Sequence, residues 1–267
     1  MITYELDKFI VEVVDNPAET LSEKKRTDLI QQAIPVTRKA FGNEGVTESD
    51  VVTHAIEVST AVFVKNKKDE LLAFSTCVPE KVGKGIVIHL KGTAVLPEIQ
   101  GEGLYSILIP LRVLFEAEKH KDKELLVGTR TQNPRVYEKT IKLGLYPKFD
   151  KPTPDYLKPI AREYAAIVRE KHSDFKSKQG LEFDADNLIV KRAYGNIKQN
   201  GEEETFCMYG DNVPNARNEQ INEFIRKNLN FKNGDAVLLI GPYSRENCLS
   251  MIKEYKGDVG KIVKRFS

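Results

Sequence analysis

Apolar and polar residues alternate in part through the first stretch, ITYELDKFIVEVV, and the pattern starts a sheet. Helix signals follow. Thr20 and Glu23 have the T-x-x-E spacing of a capping box, ahead of Leu29, Ile30, Ala33 and Ile34. Pro35 should kink or split that helix, and Gly42 should end it. Thr47 and Asp50 make a second capping box before Val51, Val52, Ala55 and Ile56. STAVFVKN and LLAFSTCV, joined by the turn KKDE, predict a β-hairpin. GKGIVIHLKGTAVL predicts one long strand with a bulge at Gly92. Beyond it, Leu104, Ile107, Leu108, Leu111 and Phe115 recur at helical spacing, and Pro110 should kink that helix. KELLVGT predicts a short buried strand, NPRVYEKTIKLG a helix with Gly144 just past its end, and LYPKF a further strand.

After Asp150 the pattern changes. KPTPDY, with two prolines, marks a boundary, which divides the chain into 1–150 and a C-terminal α+β extension, 151–267. PDYLKPIAREYAAIVREK predicts a long helix, with Pro159 near its start. Residues 172–186 are polar and carry no clear period. NLIVKRAY, ETFCMYG and DAVLLIG predict strands, while ARNEQINEFIRKNL and SRENCLSMIKEY predict helices.

Composition narrows the classes. Of 267 residues, 40% are hydrophobic and 30% charged, which excludes disordered, collagen-like and coiled-coil chains. No apolar run approaches the roughly 18 residues of a membrane span. A net charge of +2 does not point to nucleic acid or an anionic membrane surface. Cys77, Cys207 and Cys248 lie far apart with no CxxC spacing, which argues for a reducing compartment and against a zinc site. The remaining histidines away from the central strand, His54, His120 and His172, show no ligand spacing, so no metal is implied. The N-terminus carries acids where a signal peptide needs a basic start, and the expected location is the cytoplasm.

The informative segment is Val95-Leu96-Pro97-Glu98-Ile99-Gln100-Gly101-Glu102-Gly103-Leu104. A strand ends, a glycine-containing turn follows, and a helix begins. Glycine lets backbone approach a bulky ligand, and the unpaired N–H groups at a helix N-terminus favour phosphate. The same pattern also suits a tight turn that binds nothing. A dinucleotide fingerprint needs G-x-G-x-x-G, and here Ser106 stands at the third glycine's place.

V-L-P-E-I-Q-G-E-G-L, after a long strand and before an amphipathic helix, resembles the acetyl-CoA signature of the GNAT superfamily of N-acetyltransferases, Q/R-x-x-G-x-G/A. Gln100 and Gly103 fill its first and fourth places. Asn133, with Gly144 and a hydrophobic segment downstream, is similar to the family's second cofactor motif. Together the motifs span about residues 59–150; the resemblance does not extend to residues 151–267.

The resemblance implies an α+β fold with a mixed, mostly antiparallel sheet flanked by helices. The strands near 86–96 and 124–129 would splay around the pantetheine arm of acetyl-CoA, with backbone of Val95 and Leu96 beside it. The diphosphate would rest on the amides of Gln100, Gly101, Glu102, Gly103, Leu104, Tyr105 and Ser106, with Asn133 also on the cofactor side. An N–H of this stretch would polarise the thioester carbonyl while an acceptor amine attacks it through a tetrahedral intermediate. Tyr105 departs from the family's Gly or Ala, so its ring must point away from the cofactor. Where many members have an acid-donating Tyr this chain has Thr140, and Tyr137, one helical turn earlier, is the substitute candidate. His89 stands where histone acetyltransferases carry a carboxylate base, and counting by twos puts it on one strand face with Lys91, Thr93 and Val95. His89 and Tyr137 each have an alternative role inside the core. Glu98 and Glu102 read as solvated loop acids; Thr129, Arg130, Thr131 and Gln132 either line the thioester end or, for Arg130, form a surface ion pair.

The expected partner is a small-molecule or peptide amine; a homodimer is left open. Residues 151–267 have three roles open to them: walling the acceptor site, dimerisation or partner binding. Two rival functions remain. One is a non-catalytic acyl-CoA-binding or protein-interaction module on the same fold; the other is a nucleotide-binding module using the same loop.

Overall fold

The computed structural model describes residues 1–172, 180–197, 202–205, 207–210 and 212–267. The chain opens with β1 (Ile2–Glu5) and β2 (Ile10–Asp15), so the first alternating stretch is a hairpin rather than one strand. Helices α1 (Pro17–Thr20), α2 (Glu23–Phe41) and α3 (Glu48–Val51) follow, the last continuing into a π-helical turn, Val52–Ile56. Then come β3 (Thr60–Lys65), β4 (Leu71–Val82), β5 (Gly85–Val95), α4 (Tyr105–Lys119), β6 (Leu125–Thr131) and α5 (Pro134–Thr140). The remaining elements are α6 (Leu157–Lys171), β7 (Phe183–Asp184), β8 (Ile189–Val190), β9 (Gly195–Ile197), β10 (Glu203–Thr205), α7 (Glu219–Asn228), β11 (Ala236–Pro242), α8 (Arg245–Lys253) and α9 (Gly260–Phe266). The fold is α+β: a mixed, mostly antiparallel sheet flanked by helices. Among the described residues, no helix is long and apolar enough to cross a membrane.

Two compact units divide the chain, and the partition is not the one at residue 150. The first unit comprises Met1–Pro79, Ile88–Lys123 and Ser244–Ser267. Its strands run in the order β1-β2-β3-β4-β5. Its core gathers Val14, Leu29, Ala33, Phe63, Phe74 and Ala94. Removing one such ring, as in Phe63→Ala, costs about 3–5 kcal/mol. Helix α8 packs on α4, and Phe266 of α9 meets Phe115 edge-on, with ring centroids 5.1 Å apart. The last 24 residues are therefore built into the first unit.

The second unit comprises Glu80–Val87 and Glu124–Tyr243. Strand β11 pairs antiparallel with β6 from Val237↔Thr131 to Pro242↔Leu126, and β8 and β7 follow on its other side. Tyr164 and Ala165 of α6 pack there with Leu126, Leu238 and Ile240. Sequence remote from β6 thus supplies its full-length antiparallel partner, because β11 is a continuous apolar run that is buried almost throughout.

Several local expectations need correction. Thr20 caps nothing; its hydroxyl donates to Asp15 O at 2.6 Å, and Ser22 is the N-cap of α2, accepting from Lys25 N. Helix α2 runs through Pro35 instead of splitting, held by the buried face Leu29, Ala33 and Val36. LYPKF is not a strand. Tyr146 makes one antiparallel bridge with Ile240, and the ladder stops at Pro147, which has no N–H to donate. NLIVKRAY yields only two strand residues, because Leu188 and Arg192 on either side have positive φ, 51° and 53°. Residues 173–179 of the polar stretch 172–186, and Phe206 of ETFCMYG, lie outside the described residues. The Thr47–Asp50 capping box, the hairpin β3–β4, the long strand β5 and the helix ends at Gly42 and Gly144 form as expected.

Candidate functional site

In the first unit, Leu96 N–H donates to Leu72 O at 3.0 Å, and one tight turn, Pro97–Ile99, carries the chain off strand β5. Gly101 and Gly103 follow with φ of 98° and 80°, backbone that L side chains seldom adopt. Some amides in this bend are engaged. Gln100 N–H donates to Pro97 O, Glu102 N–H to Ile99 O, and Ser106 N–H to Gly103 O. The amides of Gly101, Gly103, Leu104 and Tyr105 have no hydrogen-bond partner among the described residues. Leu104, the N-cap of α4, provides no side-chain cap. Gly101, Glu102 and Gly103 are exposed. Unpartnered donors at a helix start favour an anion, and of these four Gly101 and Gly103 lie in exposed residues. Of the seven amides of Gln100–Ser106, three are bonded within the bend and four have no partner among the described residues.

Side chains fix this bend. Gln100 Nε2 donates to Val95 O at 3.1 Å, so the Val95 carbonyl expected to face a ligand already holds one donor. Lys8 Nζ lies 3.1 Å from Glu102 Oε2, and Lys39 Nζ 3.7 Å from Glu98 Oε1, so both loop acids carry a cation from elsewhere in the unit. Tyr105 is turned inward: its hydroxyl bonds to the Thr93 side chain, and burial pushes its pKa up against the pull of Arg112. The ring therefore does not occupy the exposed backbone of Gly101–Gly103. Thr93 Oγ1 in turn lies 2.9 Å from Ser75 Oγ.

Gly92, the expected bulge, is held on both sides. Its N–H donates to Thr76 Oγ1 at 3.1 Å, and its carbonyl accepts from Arg112 Nη1 at 3.0 Å. The same Nη1 donates to Thr76 O. Arg112 is 2% exposed, and burial lowers its pKa to about 10. His89 lies on β5, 4% exposed and engaged within the structure.

In the second unit the expected residues have internal duties. Tyr137 is fully buried, and its hydroxyl donates to Pro147 O at 2.8 Å. Burial, then Asp150, holds that hydroxyl well above the usual tyrosine range. A buried, committed proton is a poor one to give to a leaving thiolate, and this placement matches the alternative core role of Tyr137. Thr140 is buried too, with Oγ1 donating to Val136 O. Asn133 caps α5, Oδ1 accepting from Arg135 N at 2.9 Å, while its own N–H donates to Thr131 Oγ1. Arg130 forms no ion pair among the described residues; it donates to Ala193 O and His172 O and lies over the Tyr194 ring. Gln132, 1% exposed, bridges Asp235 O and Met208 N.

The sequence reading missed three residues of the first unit. Arg112 and Glu116 are charges at buried positions of the largely apolar helix α4, a visible signal. Glu116, 0% exposed, accepts from Ser59, Thr60, Lys119 and His120. Tyr255, which packs against Gly103, had no local signal. Among the described residues, no group of three or more His, Cys, Asp or Glu could hold a metal ion.

No protein-family model matches the sequence, and no curated protein matches it. Solved structures do. The chain is similar in structure to the ribosomal-protein-S18-alanine N-acetyltransferase of Escherichia coli, with 14% identity, 88% of this chain and 94% of that one covered, and a TM-score of 0.42. It is similar to aminoglycoside 6'-acetyltransferase type Ii over 54% of this chain and 87% of that one, with 17% identity and a TM-score of 0.39. It is also similar to a putative GNAT-family acetyltransferase from Desulfovibrio desulfuricans, over 88% and 99%, with 13% identity and a TM-score of 0.37. These likenesses are distant.

Proposed function

We propose that this chain is an acetyl-CoA-dependent N-acetyltransferase of the GNAT type, acting on a primary amine of a small molecule or peptide in the cytoplasm. The observation that carries the proposal is the row of unpartnered amides at Gly101, Gly103, Leu104 and Tyr105, set between strand β5 and helix α4. Those donors suit the coenzyme's diphosphate, and two left-handed glycines let it approach the backbone. Acetyl-CoA supplies an activated acyl group. Backbone of Val95 and Leu96, at the end of β5, orients the arm that carries it. His89, on the strand that leads into the bend, is the candidate base for the amine's proton. Binding and orientation account for most of the rate.

A thermal-shift comparison tests the proposal. Acetyl-CoA at about 100 times its Kd should stabilise the protein by roughly 2.7 kcal/mol, with NAD and ATP well below it. No shift with acetyl-CoA, or a larger one with NAD, overturns it. One observation favours a non-catalytic acyl-CoA-binding module instead: Tyr137 and Thr140, the two candidate acid positions, are both sealed in the core. Binding without turnover across a broad amine panel decides for that alternative.

A further inference from the structure

Tyr255 follows α8, and its backbone N–H closes that helix on Ile252 O at 3.1 Å. It is 9% exposed. Its ring lies directly against the glycine bend: a Cβ built on Gly103 would sit 3.5 Å from Tyr255 Cδ2. The ring is wedged from the other side, since a Cβ on Gly257 would meet Tyr255 Cε1 at 2.6 Å and Asp7 Oδ2 at 2.9 Å. Lys8, next to Asp7, binds Glu102 on the same bend. Three segments of the first unit, around residues 7–8, 101–104 and 255–257, thus meet at one point. The Tyr255 hydroxyl has no hydrogen-bond partner among the described residues, yet it is not one of the sealed polar atoms, so it keeps contact with solvent. Burial, Asp7 and Glu102 all push its pKa up, which keeps it a donor at neutral pH.

We propose that Tyr255 is a ligand-binding residue of this bend: its ring is the floor under Gly103, and its hydroxyl donates to a diphosphate held on the Gly101–Tyr105 amides. The inference deepens the acyl-CoA reading and rests on it for the ligand's identity. It assigns a purpose to the segment that follows α8, which brings the Tyr255 ring against Gly103. Lys8 neutralises Glu102, so the neighbouring acid does not repel the incoming phosphates.

Calorimetric titration of the full chain with three probes tests it: coenzyme A, ADP, which has a diphosphate but no pantetheine, and acetyl-pantetheine, which has no diphosphate. Tyr255→Phe keeps the ring and removes the donor. The variant should bind coenzyme A and ADP about tenfold more weakly, as expected for one lost hydrogen bond to a charged group, and acetyl-pantetheine unchanged. Its melting temperature should equal that of the wild type. Unchanged affinity for coenzyme A and ADP overturns the proposal, and so does an equal loss for all three probes. If the wild type binds ADP but neither coenzyme A nor acetyl-pantetheine, the acyl-CoA reading fails while the role of Tyr255 stands or falls on the ADP comparison. If it binds none of the three, both fail.

Discussion

Two bends in this molecule do the same topological job and finish it differently. Each takes the chain from the end of a strand into a helix: residues 96–104 lead from β5 into α4, and residues 132–133 lead from β6 into α5. The second is closed. Asn133 caps Arg135 N, Thr131 takes the Asn133 amide, and Pro134 removes one orphan donor altogether. The first is open. It has no capping side chain, two left-handed glycines, and four amides with no partner among the described residues. Buried donors left in this state are costly, whereas those in the exposed residues Gly101 and Gly103 are open to water or a ligand. The difference teaches that a strand-to-helix turn is not a binding site by shape; what matters is whether the chain has already used its own donors.

The strongest test breaks the open bend. Gly103→Asp places a carboxylate over the amides and should abolish acetyl-CoA binding by calorimetry. The protein should stay folded by circular dichroism, with the left-handed φ costing about 1–2 kcal/mol. Retained affinity removes the bend from the site. Next in size, His89→Gln on the strand feeding that bend should cut turnover about a hundredfold at pH 7. The loss should shrink as pH rises, because the acceptor amine then arrives already deprotonated. A loss that is constant with pH assigns His89 to the core.

The closed bend predicts effects on stability alone. Asn133→Ala should cost about 1 kcal/mol by denaturant titration, the usual worth of an N-cap, with acetyl-CoA affinity unchanged. A fall in affinity beyond the stability loss would return Asn133 to the cofactor side. Of similar size, Tyr137→Phe removes one buried hydrogen bond to Pro147 O and should cost roughly 1 kcal/mol with no change in rate. A slower rate at unchanged stability would restore Tyr137 as the proton donor.

Legibility in the sequence followed the range of the interactions. The hairpin β3–β4, the long strand β5 and the Thr47–Asp50 capping box depend on neighbours a few residues apart, and their patterns were readable. The glycine bend was readable for the same reason. Tyr137 was ambiguous because its partner, Pro147, lies beyond the helix that carries it. The Thr20 capping spacing misled because Ser22, two residues on, competes for the same helix start.

The order of local residues thus determined the strands, the helices and the bend at 100–106, since periodicity and backbone preference are properties of short segments. Only the tertiary structure decided that β11 and not LYPKF extends the ladder beside β6, and that Tyr255 comes to lie against Gly103. Those outcomes depend on packing between residues more than 100 positions apart, where burial and steric fit choose the partner and no local pattern records the choice.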